Sequence, residues 1–446
     1  MVIYLQIKQI IQKIKSSDIA TRLTAGAFWS LLGNVAGKGF ILFAFILVAK
    51  IIGKESYGEL GMIRSTIMMF SVFAGVGIGL TASRYIALCR NTDIQKAHEI
   101  YCLSKYVSII MGLLFSILLC VFAPLIAEQS LHAQHLTGEI RIGAIVLFFI
   151  TLNSAQTGAL LGFERFKSSA INIIISGFIQ LLFLTIGAYY WGVSGVIGGM
   201  GIGSFILYFL NQYTIRSNIS RVIIRQIKIK QLCKNTFPVL WKFSFPAILS
   251  SILVIPVLWW CKTLMVQTAG FDHMADYDVA EQWNTIILFI PSTLGSILVP
   301  ILSNTLAEGT KNQYRKIVKI NIVINVFITS VIVLFICLFA SFILRRYGVE
   351  FTDKKTFYIL ILSAIPNAVC AVLGHVIASK GKMWIGFILN FIWAIWCVGF
   401  SILFINKMNY GAVGLAMAVF IAYILYMLLS WLVWKYWSET NSKSQL

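Results

Sequence analysis

The chain has 446 residues, 59% of them hydrophobic and 12% charged, with a mean hydropathy of +0.86. Soluble domains carry about 25% charged residues, so a water-soluble globular fold is excluded. The formal net charge of +20 would suggest nucleic acid in a soluble protein; in a chain this apolar it belongs to membrane topology, and no nucleic-acid partner is expected.

A bilayer core takes about 20 apolar residues per helix, which divides the chain into about twelve spans. Before the first, Val2 to Ser17 alternates Ile with Lys and Gln. That pattern is a basic amphipathic stretch without the solid apolar core of a cleavable signal, so the first span is expected to act as an uncleaved one. The first six spans are expected at 24–49, 60–83, 104–126, 142–161, 169–190 and 192–213. Lys38 falls near the middle of the first and Arg64 about one turn inside the second. A basic stretch from Arg216 to Lys234 follows, suited to the anionic inner leaflet. The second six are expected at 239–261, 282–303, 318–343, 356–378, 383–405 and 411–434. Lys242 lies near the start of the seventh, and an acidic loop with Asp272, Asp276, Asp278 and Glu281 precedes the eighth. Prolines 246, 256, 291, 300 and 366 concentrate in this half, where they serve either as hinges or as static kinks.

Alternate loops hold most of the 36 Lys and Arg residues on the side of the N-terminus, which makes both termini cytoplasmic. Gln6-Ile7-Lys8 recurs as Gln226-Ile227-Lys228, and Gly192-x-x-Gly195 as Gly411-x-x-Gly414, at offsets of 220 and 219. The fold expected is an all-α polytopic membrane protein with two six-helix bundles, 1–213 and 239–437. They are related by a pseudo-two-fold axis along the membrane normal, joined by a cytoplasmic linker (214–238) and followed by a cytoplasmic tail (438–446).

No P-loop, HExxH or nucleophile elbow is present, so no enzyme activity and no cofactor are expected; the coupling ion is left open. The eight cysteines show no CxxC spacing and suit reduced thiols, and His132 and His135 form no expected metal site. An ionisable group at the bilayer centre costs about 2.5 to 3.5 kcal/mol. With no acid assigned to any span, Lys38 and Arg64 need a wet cavity or an anionic ligand, the alternative being snorkelling. Lys242 has the same two readings. For Asp278 and Glu281 the alternatives are a solvated loop, or an outer gate and contact with sugar hydroxyls.

Several stretches together resemble Wzx-type O-antigen flippases, in the polysaccharide transporter branch of the multidrug/oligosaccharidyl-lipid/polysaccharide exporter superfamily. They are Ala25-Gly26-Ala27-Phe28-Trp29, Gly53-Lys54-Glu55-Ser56-Tyr57-Gly58, the run from Gly75 to Arg84, Lys242-Phe243-Ser244-Phe245-Pro246, and Asp278-x-x-Glu281-Gln282-Trp283. The resemblance implies a V-shaped pair of bundles in the bacterial inner membrane. Their cationic cavity would pass undecaprenyl-diphosphate-linked oligosaccharide from the cytoplasmic to the periplasmic leaflet by alternating access. Lys38 and Arg64 would meet the diphosphate, although no equally deep cation is found in the second half. Membrane lipids surround such a protein, and a polysaccharide polymerase with its chain-length machinery is a candidate partner. The competing readings are an ion-coupled drug antiporter of the same superfamily and a membrane polysaccharide polymerase or ligase.

Overall fold

The computed structural model describes residues 18–75, 77–218, 253–307, 311–380 and 382–443, and every regular element among them is helical. In the first half these are α1 (Asp18–Ile52), α2 (Lys54–Gly75), α3 (Ile78–Cys89), α4 (Ile94–Leu125), α5 (Thr137–Gly162) and α6 (Phe166–Asn218). The second half holds α7 (Val254–Ala269), α8 (Phe271–Ala307), α9 (Lys311–Leu338), α10 (Ala340–Tyr347), α11 (Lys354–Leu362), α12 (Ala364–Ser379), α13 (Met383–Ser401) and α14 (Gly411–Lys443). Helices α2 and α3 form one broken crossing, as do α9 with α10 and α11 with α12. The long α6 folds back at Gly192, whose φ of 54° and ψ of −135° leave the helical region, and so makes two crossings. The result is the expected twelve-crossing, two-bundle plan.

The internal repeat shows in the backbone. Gly53 (φ 82°) alone separates α1 from α2, and Gly270 (φ 87°) alone separates α7 from α8. Gly192 (φ 54°) and Gly411 (φ 49°) open the last crossing of each bundle. Glycine adopts positive φ without the Cβ clash that penalises other residues, so these four positions turn the chain at equivalent places in both halves. The Gln-Ile-Lys part of the repeat lies outside the described residues.

Three expectations change. The acidic segment before the eighth span is no loop: α7 runs to Ala269 and α8 starts at Phe271, so Asp272, Asp276, Asp278 and Glu281 are helical. The second crossing is broken near Gly77, where φ is 60°, and its two parts meet at 41°. The tenth breaks at Ser363, three residues before Pro366, which has no N–H to donate to the preceding turn and sits in the first turn of α12. Asn284 of α8 repairs that break, donating to the Leu360 carbonyl and to Ser363 Oγ (3.1 Å). Helix α6 continues to Asn218 and α14 to Lys443.

Burial distinguishes the two ends of the molecule. At the end bearing the Gly53 and Gly270 turns, one continuous apolar core takes residues from both bundles, among them Phe45, Tyr57, Leu60, Met265, Tyr277 and Tyr347. Toward the other end the described core divides in two. One part, around Ile86, Ile100 and Leu160, belongs to the first bundle; the other, around Val318, Leu373 and Trp434, belongs to the second. Among the described residues the two bundles thus share a core at one end and have separate cores at the other.

Candidate functional site

Depth follows from helix geometry. At about 1.5 Å per residue, Lys38 lies about 21 Å along α1 from the closed-end turn and Arg64 about 15 Å along α2, both within a roughly 30 Å apolar core. They line one 170 Å³ pocket with Ile41, Leu42 and Phe45 of α1 and with Gln282, Thr285 and Ile286 of α8. The pocket therefore lies between the bundles, and the structure brings Lys38 and Arg64 together in it. Lys38 Nζ sits 4.8 Å from the centroid of the Phe289 ring and has no carboxylate partner among the described residues. A cation against an aromatic face gains about 0.5–2 kcal/mol, far less than a phosphate oxygen would supply in the same place.

Arg64, by contrast, is paired. Its NH1 lies 3.1 Å from Asp278 Oδ2, across the boundary between the bundles, and its Cζ lies 4.0 Å from the centroid of the Phe45 ring. The same Oδ2 accepts from Gln282 Nε2 at 2.7 Å, and Gln282 Nε2 also donates to Tyr57 OH at 2.6 Å. Asp278 and Gln282 are i, i+4 on α8 and share one face of it. Toward the closed end, Lys54 Nζ lies 2.9 Å from Asp276 Oδ2, and Lys54 also donates through Nζ to the Glu350 carbonyl and through its backbone N–H to Glu350 Oε2, each at 3.3 Å. Trp259 Nε1 donates to Thr66 Oγ1 at 2.9 Å. Gly58 makes this closeness possible, since a Cβ there would run into the backbone of Phe271. Every one of these bonds except that of Gln282 with Asp278 joins the first bundle to the second, so the site is a pocket beneath a polar closure.

Asp276 lies above the apolar part of α8, with its side chain only 6% exposed. Burial pushes its carboxyl up to about 6, against the opposing pull of Lys54. Its Oδ1 is buried with no partner among the described residues.

The remaining candidates separate. Glu281 pairs with Lys262 (2.6 Å) inside the second bundle. Lys262, one residue beyond the expected end of the seventh span, is a buried residue of α7 whose charge is met by Glu281. Lys242 lies outside the described residues. His135 bonds Glu59 Oε1 at 2.7 Å, and no metal-capable cluster occurs among the described residues. Lys54, Tyr57, Asp276 and Gln282 were missed by sequence reasoning. Their one signal was the placement of Asp278 and Gln282 four apart, visible only once residues 271–281 are taken as helix. A wider groove of 440 Å³ on the second bundle, lined by Ile395, Trp396, Phe400, Leu403 and Lys407, carries one charge and lies apart from this closure.

Residues 23–306 match the family described as polysaccharide biosynthesis protein. Among curated proteins the chain is 22% identical over 400 residues to the EPS I polysaccharide export inner membrane protein EpsE of Ralstonia solanacearum, covering 87% of this chain and 88% of that one. It is 21% identical over 297 residues to the stage V sporulation protein B of Bacillus subtilis, covering 61% and 56%. Among solved structures, the inward-facing conformation of a multidrug resistance MATE family transporter of the MOP superfamily superimposes with a TM-score of 0.79 at 15% identity, covering 94% of this chain and 96% of that one. A MOP superfamily transporter from Pyrococcus furiosus, described as having a binding pocket of reversed polarity, gives 0.71 at 15% identity, covering 94% and 95%.

Proposed function

From the premise that this chain belongs to the polysaccharide biosynthesis protein family and has the fold of MOP superfamily transporters, we propose that it translocates a lipid-linked oligosaccharide by alternating access. The substrate is an undecaprenyl-diphosphate-linked oligosaccharide of the O-antigen type, moved from the cytoplasmic to the periplasmic leaflet of the bacterial inner membrane. The observation that carries this reading is the pocket between the bundles with two cations in its wall, one of them, Lys38, lacking a carboxylate partner among the described residues. An anionic headgroup fits that charge, while the glycan occupies the space between the bundles and the lipid tail stays in the bilayer. The export named for the Ralstonia relative supports the substrate class.

The charge bias of the loops supports putting the closed end at the periplasm and both termini in the cytoplasm. The two bundles act as the moving units, with the basic segment at 214–238 as their connection in the sequence. Outward movement of an anion across an inside-negative membrane gains about 2.3 kcal/mol per charge per 100 mV. Antiport of a cationic drug is the second reading, favoured by the acids Asp276 and Asp278 between the bundles.

Proteoliposomes carrying the purified protein and a fluorescent undecaprenyl-diphosphate oligosaccharide decide between them. Transfer of the glycan to the opposite leaflet, lost in Lys38→Ala, is the expected result. Absence of transfer with active proton-driven export of a cationic dye would establish the antiporter.

A further inference from the structure

Arg64 stands in two places at once: it lines the pocket, and it is one of the bonds that hold the bundles together. We infer that the substrate's diphosphate displaces Asp278 from Arg64, and that this exchange, rather than opening by chance, releases the closure above the pocket. The inference rests on the reading that the pocket takes a diphosphate.

A guanidinium has five N–H donors in a rigid planar fork, and the described bond to Asp278 uses one of them, from NH1. Phosphate oxygens match the fork in pairs, so a diphosphate in the pocket competes for it with better geometry and more charge than a single carboxylate oxygen. Neutral sugars and cations cannot make that exchange. Once it is made, Asp278 faces a like charge in a site where its side chain is 5% exposed, and repulsion drives it away.

The consequences run along the closure. Asp278 Oδ2 also accepts from Gln282 Nε2 (2.7 Å), the group that reaches across to Tyr57 OH (2.6 Å). Losing Asp278 frees Gln282 to rotate, and with it the second bond between the bundles. Gln282 Oε1 is buried without a partner among the described residues, a cost of this closed arrangement. An empty transporter is therefore latched by Arg64 and Asp278, a loaded one is not, and after release Arg64 recaptures Asp278 and the end closes again. Such an arrangement keeps the unloaded protein from opening on that side, which limits leakage of small ions.

By linkage, a ligand that favours the unlatched state binds more tightly to any variant already unlatched. The test uses the full-length protein in nanodiscs with farnesyl diphosphate as the probe. Its affinity is read together with hydrogen exchange in residues 53–64 and 271–282. In the wild type the probe is expected to raise exchange in both segments, and farnesol, without the diphosphate, to leave it unchanged. Asp278→Asn is expected to exchange fast without ligand and to bind the probe about tenfold more tightly, an ordinary size for coupling between sites. Tyr57→Phe changes no charge and does not line the pocket, yet it is expected to tighten binding several-fold through the same equilibrium, a response that a local electrostatic effect would not give. Tyr57→Phe also keeps the test decisive where Asp278→Asn fails to fold. Equal affinities in wild type and Tyr57→Phe, with exchange indifferent to the probe, overturn the coupling while leaving a diphosphate site in place. A wild type that does not bind farnesyl diphosphate overturns the site and the inference together.

Discussion

Replacing Lys54 by Met should weaken the closed end by an amount that can be worked from the structure. Lys54 Nζ lies 2.9 Å from Asp276 Oδ2, with the two side chains 15% and 6% exposed. Removing one partner of a fully buried pair costs about 3–5 kcal/mol, because the other charge is left uncompensated. Lys54 sits at the rim, so about 2 kcal/mol is a fair expectation, roughly a 30-fold shift in the closed-to-open ratio. Adding Asp276→Asn removes the stranded charge and should restore most of the closure. Spin labels at His132 and Val349, on the closed ends of the two bundles and both exposed, report the separation in a background with the native cysteines replaced. A longer-distance population that grows in Lys54→Met and shrinks again in the double variant is predicted. Equal populations in Lys54→Met and the double variant would refute the assignment of this pair to the closure.

Three further outcomes follow from the same contacts. Because burial raises Asp276 to about 6 in the closed form, the closed form binds its proton more readily than an open form with an ordinary carboxyl near 3.9. Its contribution to closure is thus fully present below about 4 and lost as the pH rises through about 6. Acidifying from pH 7 to 5 should favour closure by about 1.3 kcal/mol, or roughly tenfold, and Asp276→Asn should abolish that dependence in the same distance measurement. Asn284→Leu should lower the unfolding temperature, since the Leu360 carbonyl and Ser363 hydroxyl lose their donor at the tenth-crossing break; about 1–3 kcal/mol is expected. Gly195→Ala should destabilise by a similar 1–3 kcal/mol, because the new Cβ runs into the Gly187 backbone where α6 packs against itself; thermal unfolding of the purified protein measures it.

Hydropathy and charge bias made the twelve crossings legible, and the glycine repeat marked the turns at Gly192 and Gly411. Gly192 could mark a boundary inside an otherwise unbroken apolar run because a fold-back there needs positive φ. What stayed hidden was pairing. Residues 271–281 are polar enough to pass for a loop, yet Asp276 and Asp278 are buried helix residues whose partners, Lys54 and Arg64, stand more than two hundred positions away. No window along the chain registers a charge neutralised at that range. The burial of Lys262 stayed hidden for the same reason, its charge being met by Glu281 on the neighbouring helix. The pocket was half legible. Lys38 and Arg64 stood out because a cation in a span requires a partner, but only the fold shows that Arg64 already has one.

The most direct test of the account follows the undecaprenyl-linked oligosaccharide in cells lacking this protein, by asking which leaflet holds it. Accumulation in the cytoplasmic leaflet, relieved by the wild type and not by Lys38→Ala, is the predicted result. A normal leaflet distribution with normal surface glycan in the deletion strain would contradict it.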